Sequence, residues 1–271
     1  MLVNFTKMHS LGNDFVLIDA ITQNIKLNSA YIKKLADRNI GIGCDQVIIL
    51  EPPMDAISDF YYKIYNSNGK TAEQCLNGAR CAARFALDVG LVNKKTIIAD
   101  CLAGRVILSV ENNHVVSANL GSLNPKINNH LLIRSDDNIE IYSLNIGNPH
   151  VIFILPTKIS EQYPALEDIK YKLIAEHIAN QEIFTDGINV GIARIIDPNN
   201  ITLRVFERGV GETLSCGSNA IALFLVARHL KLINNNTKIL FKFGELHVKL
   251  ENDCLIIKGQ TNAVFIGKFK I

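Results

Sequence analysis

The sequence predicts an α+β fold of mixed α/β character, organised as two similar halves. Runs rich in β-branched residues are many and helical runs few, which favours mixed or antiparallel sheets over a regular β-α alternation. A set of short motifs recurs in order at nearly constant spacing, as a duplicated fold requires. The third observation is bulk: 271 residues, 48% of them apolar, bury one large core or two ordinary ones.

Strand patterns fall at 14–19, 46–50, 60–65, 96–99, 105–110, 114–118, 151–155, 188–195, 201–206, 238–243, 246–250 and 254–258, with turn residues such as Asn112 and Asn113 between them. Helical patterns cover 29–38, 75–90, 166–179 and 216–231. The segment GSLNPKINNH at 121–130, rich in Gly, Asn and Pro, reads as the linker between the halves.

The recurrence is specific in register. Gly12-Asn13 is matched by Gly147-Asn148, Gln46-Val47 by Asn189-Val190, and Tyr65-Asn66, closing a strand, by Phe206-Glu207. Cys75 is matched by Cys216, an offset of 216 − 75 = 141, and each cysteine opens an apolar helix after a short polar loop.

Composition excludes several classes. With 28 basic and 26 acidic residues the net charge is +2, and no basic run marks a nucleic-acid surface. The apolar runs are too short to span a bilayer, the N-terminal segment lacks a signal-peptide pattern, and a cytoplasmic location with reduced thiols is expected. The six cysteines include no C-x-x-C pair, so neither a zinc ribbon nor a thioredoxin-type redox pair is signalled. No phosphate-binding glycine motif is present, and the expectation is an enzyme without metal or cofactor.

A cysteine at a helix start sits at the positive end of the macrodipole, beside backbone N–H groups that lack intrahelical partners. Both favour a thiolate, and the N–H groups form an anion site. If the halves face each other, Cys75 and Cys216 would approach one cleft from opposite sides. Inverting a stereocentre next to a carboxylate needs such a pair, a base on one face of the carbon and an acid on the other. A lone cysteine opening an apolar helix would be only a small core residue, and Cys44, Cys81, Cys101 and Cys254 keep that reading. Arg80 and Arg84, on the helix after Cys75, read as a solvated face or a capping interaction. His150 reads equally as a cleft residue or a hydrogen-bonded structural histidine.

The motifs MHSLGNDFVLID (8–19), GIGCDQ (41–46), NSNGKTAEQCLNGARC (66–81), GNPH (147–150), INVG (188–191) and ERGVGETLSCGS (207–218) together resemble the diaminopimelate epimerase family over most of the chain. The resemblance implies two pseudo-symmetric halves, each a curved sheet around a central helix, with the last strand crossing back. That places one half at 1–117 plus 262–271 and the other at 118–261. It implies a homodimer that interconverts L,L- and meso-diaminopimelate, in lysine and peptidoglycan precursor synthesis. Cys75 and Cys216 would be the acid/base pair. Backbone N–H groups of Leu76, Asn77, Gly217 and Ser218 would hold the reacting carboxylate, while Asn13, Gln46, Asn66, Asn148, Asn189, Glu207 and Arg208 would read the rest of the substrate.

Departures from the family pattern are Leu76, where glycine is expected, Asn219, where glycine is common, and Asn68, often Asp. If the first position needs a positive φ, Leu76 costs on the order of 1–2 kcal/mol; if helical φ suffices, its N–H still serves. Two competing readings follow: a proline-type racemase on the same fold, and a non-catalytic relative whose cleft Leu76 blocks.

Overall fold

The computed structural model describes residues 2–112, 114–132, 139–156 and 171–270. The chain separates into two compact units, Met1–Leu120 with Lys258–Ile271, and Gly121–Ile257.

In the first unit the strands are β1 (Leu2–Ser10), β2 (Asn13–Asp19), β3 (Gln46–Glu51), β4 (Phe60–Asn66), β5 (Thr71–Ala72), β6 (Thr96–Cys101), β7 (Gly104–Asn112), β8 (Val115–Asn119) and the C-terminal β18 (Asn262–Lys270). Helix α1 (Ser29–Ala36) joins β2 to β3, and α2 (Leu76–Asp88) joins β5 to β6. The ladder runs β18-β1-β2-β3-β4-β6-β7-β8, parallel at β2/β3 and β4/β6 and antiparallel elsewhere. Helix α2 touches β1, β2, β3, β7 and β8, so the sheet curves around it. Such enclosure explains its composition: it is alanine-rich and buried almost all round, from Leu76 through Ala83 and again at Phe85 and Ala86.

The second unit repeats this plan. Its strands are β9 (Asn128–Leu132), β10 (Ile139–Asn145), β11 (Pro149–Ile154), β12 (Asn189–Asp197), β13 (Asn200–Glu207), β14 (Gly211–Thr213), β15 (Asn236–Phe241), β16 (Gly244–Glu251) and the first part of β17 (Cys254–Gln260), whose last three residues are counted with the first unit. Helix α3 (Tyr171–Ala179) lies between β11 and β12, and α4 (Gly217–His229) between β14 and β15. The pairings β11/β12 and β13/β15 are parallel, and β9/β10, β10/β11, β12/β13, β13/β14 and β15/β16 are antiparallel.

Register makes the duplication quantitative. Phe15 pairs with Gln46 as His150 pairs with Asn189, and Val47 pairs with Tyr65 as Val190 pairs with Phe206. The two motif matches that lie on these strands, Gln46-Val47 with Asn189-Val190 and Tyr65-Asn66 with Phe206-Glu207, are thus matches of ladder position. The start of the expected helix 166–179 lies outside the described residues. Three long strands, β1, β10 and β18, escaped the strand patterns, and the proposed linker 121–130 already enters β9 at Asn128. Strand β1 carries Asn4, Lys7 and His9 among its apolar residues, and most of β18 is exposed, so neither shows a clean buried face. No helix among the described residues is long and apolar enough to cross a membrane.

Candidate functional site

Each unit presents one cysteine at the start of its central helix, and the two half-sites are built differently.

In the first unit Cys75 is the N-cap of α2, with extended backbone (φ −147°), and its sulfur accepts the Gly78 N–H at 3.4 Å. Sulfur here takes the role an oxygen has at most helix caps. The Cys75 thiol points to Asn13 Oδ1 at 3.8 Å, and Asn77 Nδ2 donates to the same oxygen at 3.3 Å. Asn13 in turn donates to Asp45 Oδ2 at 2.9 Å. Asp45 is fixed by a reciprocal exchange with Asp14, whose backbone N–H bonds Asp45 Oδ2 while the Asp45 N–H bonds Asp14 Oδ1. Arg38 bridges both carboxylates, and Lys7 pairs with Asp14. Burial pushes the Asp14 carboxyl upward, but the bonds from Arg38, Lys7 and the Asp45 backbone win and hold it at about 2. One strand over, Gln46 Nε2 donates to Asn66 Oδ1 at 2.9 Å, across the β3/β4 pair that their register dictates. Gln74, which the sequence did not single out, accepts from both the Cys75 N–H and the Tyr62 hydroxyl at 3.0 Å.

In the second unit Cys216 is the N-cap of α4 (φ −142°) and makes no side-chain capping bond; its sulfur lies 3.3 Å from Ser218 Oγ. Asn189 donates to the Pro149 carbonyl at 2.9 Å and accepts the Arg208 backbone N–H at 3.0 Å, which ties the end of β13 to the start of β11. Arg208 also reaches the Asp186 carbonyl at 3.2 Å, and Glu207 accepts the Thr213 hydroxyl at 2.6 Å. Asn148 Oδ1 is 2.9 Å from His150 Nε2. His150 is fully buried, and burial pulls its pKa down to about 4, so the ring is neutral at neutral pH.

The two departures now have a structural account. Neither Leu76 nor Gly217 has a positive φ; both are the first residues of their helices. The conformational penalty entertained for Leu76 is absent, because that position needs only a helical backbone. The third helical position behaves likewise: Asn219 is helical and fully buried, and what matters is the space facing it. In the first unit Gly78 faces Ile48, and a Cβ on Gly78 would fall 2.7 Å from Ile48 Cδ1. In the second unit the sizes are exchanged, with Asn219 facing Gly191; a Cβ there would fall 2.4 Å from Asn219 Oδ1.

The reading of Arg80 as solvated or capping is corrected. Arg80 is fully buried, donating to Ser10 Oγ and Asn77 Oδ1 at 2.8 Å each, because α2 is enclosed by the sheet and has no solvated face at that position. Arg84 pairs with Asp88 at 2.7 Å. Cys44, Cys81 and Cys101 are buried, and Cys254 is half-buried.

Two like-folded units, each capping its central helix with a cysteine, define a class of duplicated α+β proteins. Solved structures of that fold include a PhzF-family phenazine biosynthesis protein from Bacillus anthracis (TM-score 0.71, 14% identity, 100% of both chains). A hydroxyproline epimerase from Agrobacterium vitis also shares it (TM-score 0.68, 11% identity, 98% of this chain and 92% of that one). Sequence narrows the class. The profile of the diaminopimelate epimerase family matches residues 5–124 and 142–266. A diaminopimelate epimerase from Acinetobacter baumannii (strain AYE) is 36% identical over 284 aligned positions, covering 100% of this chain and 98% of the relative; that of strain AB307-0294 matches equally. The chain belongs to the diaminopimelate epimerase family.

Proposed function

We propose that the protein is an isomerase that interconverts L,L- and meso-2,6-diaminopimelate by a two-base mechanism using only protein groups. The observation that carries this reading is the pair of cysteines capping equivalent helices in a member of this family. One thiolate takes the α-proton while the other thiol delivers a proton to the opposite face, and the roles reverse with direction. The N–H groups of Leu76 and Asn77, and of Gly217 and Ser218, stabilise the charge that builds on the α-carboxylate. Asn13, Gln46, Asn66, Asn148 and Asn189 recognise the substrate by hydrogen bonds, Glu207 meets an ammonium, and Arg208 forks onto the distal carboxylate. Full-length identity to diaminopimelate epimerases supports this substrate over proline, whose racemases share only the fold at 11% identity.

The test is incubation of reduced protein with L,L-diaminopimelate in D₂O. Deuterium enters the α-position and meso product accumulates; absence of exchange would end the proposal. The reaction is placed in the cytoplasm, where both thiols stay reduced.

The working form is a homodimer joined through β18, which presents Val264, Phe265 and Ile266 to solvent, Ile266 being 79% exposed. Three consecutive apolar residues this open are costly to leave hydrated. Ile266→Glu is therefore expected to weaken self-association at least about tenfold in sedimentation equilibrium. A wild-type protein that stays monomeric at micromolar concentration would refute the dimer.

A further inference from the structure

The first unit contains a buried cation whose role the reaction outlined above leaves unassigned. Arg80 has no solvent exposure, and its Nε and Nη1 have no hydrogen-bond partner among the described residues. Only Nη2 is used, by Ser10 Oγ and Asn77 Oδ1, both neutral. Among the described residues no carboxylate pairs with it. Burying a guanidinium without a counter-charge is unfavourable, since its hydration is lost and not repaid, and an apolar residue of similar size would pack here without that cost. The second unit makes this comparison internally: the equivalent helix position, 221 − 80 = 141 residues on, is the buried Ile221. A fold that accommodates isoleucine in one half and a bare arginine in the other uses the charge for something.

Its placement shows what. Arg80 holds Asn77 Oδ1, so the Asn77 amide turns its Nδ2 toward Asn13 Oδ1, and that same oxygen faces the Cys75 sulfur. The guanidinium thus lies one side chain behind the first turn of α2, where negative charge appears when Cys75 ionises. The other titratable neighbours cannot supply it. Burial pushes Cys81 and Tyr62 well above their usual range, so both stay protonated. Burial draws Arg80 down to about 10, and a Cys75 thiolate draws it back up; Arg80 is charged at neutral pH.

We propose that Arg80 is a positioning residue for the Cys75 half-site, supplying a buried positive charge that favours the Cys75 thiolate and fixing the orientation of the Asn77 and Asn13 amides. The consequence is an asymmetric pair of bases, with Cys75 the more readily ionised, because the Arg80 position of the second central helix is the apolar Ile221. The inference rests on the epimerase reading for its purpose and on the thiols alone for its test.

The experiment is peptide-resolved iodoacetamide alkylation of the intact protein at pH 7, without substrate. Arg80→Gln is expected to slow labelling of Cys75 about tenfold, one pKa unit, and to leave Cys216 within twofold. Arg80→Lys, which keeps the charge, is expected to stay within threefold of wild type. In turnover, Arg80→Gln lowers kcat about tenfold and leaves KM within threefold. A folded Arg80→Gln protein in which Cys75 labels at the wild-type rate, or in which both thiols slow equally, overturns the assignment. If that variant does not fold, wild type decides: Cys75 must label at least fivefold faster than Cys216, and equal rates refute the proposal. A labelling contrast in a protein that leaves diaminopimelate unchanged would remove the substrate reading and retain the role of Arg80.

Discussion

Cys75→Ala and Cys216→Ala each lower epimerisation by at least about 10³-fold, in both directions. The expected size follows from what each thiol does. A positioned acid or base contributes about 10²–10⁴-fold, and a two-base inversion uses both groups in every turnover. Because the two act as a unit, the effects are strongly non-additive, and the double variant falls no more than about tenfold below either single one. Structural damage is small by comparison. Cys75→Ala removes the 3.4 Å N–H contact to sulfur and the 3.8 Å contact to Asn13 Oδ1, and Cys216→Ala removes the 3.3 Å contact to Ser218 Oγ; a helix cap is worth about 0.5–2 kcal/mol. Residual exchange in a single variant proceeds without inversion, since the surviving thiol returns a proton only to the face from which it took one. Polarimetry measures inversion, mass spectrometry measures deuterium uptake, and a thermal melt checks folding. Either variant retaining a tenth of wild-type inversion would exclude a two-thiol mechanism.

The spacing of motifs was readable because duplication preserves ladder register. Gln46 and Asn189, and Tyr65 and Phe206, occupy the same sheet positions, so the nearly constant offsets in sequence, 189 − 46 = 143 and 206 − 65 = 141, mark equal places in the fold. Cys75 and Cys216 stood out for the same reason, and their helices begin one residue after each. What the sequence hid is whatever depends on a third dimension. Strand β1 mixes lysine, asparagine and histidine with apolar residues because Lys7 is drawn inward to Asp14. Arg80 looked solvated because burying an unpaired arginine goes against composition rules, yet α2 packs against β1, β2, β3, β7 and β8 and leaves Arg80 no exposed surface. Its only visible signal was the mismatch with Ile221 at the same offset as the cysteines. The family departure at Leu76 left open whether that position needs a positive φ; neither Leu76 nor Asn219 has one, and the constraint at Asn219 is the size of a residue 28 positions earlier, Gly191.

That size exchange makes the second large effect a coupled one. Gly78→Ala places a methyl group 2.7 Å from Ile48 Cδ1 with Phe15 Cε1 behind it at 3.3 Å. Ile48 and Phe15 are fully buried on adjacent strands, so the ile side chain must leave its rotamer or the helix must move. Overpacking of this kind costs about 1–3 kcal/mol. Helix movement is also felt at the sulfur, because the Gly78 N–H donates to the Cys75 sulfur that caps the helix; activity falls with stability. Ile48→Val removes the clashing carbon at a cost of about 0.5–1.5 kcal/mol by itself. Combined with Gly78→Ala it should refill the space, leaving the double variant near the Val variant in stability, with a coupling of at least about 1 kcal/mol. The second unit answers in mirror image. Gly191→Ala meets Asn219 Oδ1 at 2.4 Å and Ile152 Cδ1 at 2.8 Å, and Asn219→Ala relieves it. Relief of the clash is only partial here, because Ile152 Cδ1 stays 2.8 Å from the added methyl group, but losing the Asn219 side chain costs little in itself, since neither its Nδ2 nor its Oδ1 has a hydrogen-bond partner among the described residues. Urea unfolding of the four single and two double variants measures both cycles. Additive energies in both would mean that the helices ride clear of the strands beneath them. Coupling in both would mean that each unit positions its cysteine through one large and one small residue, chosen oppositely in the two halves.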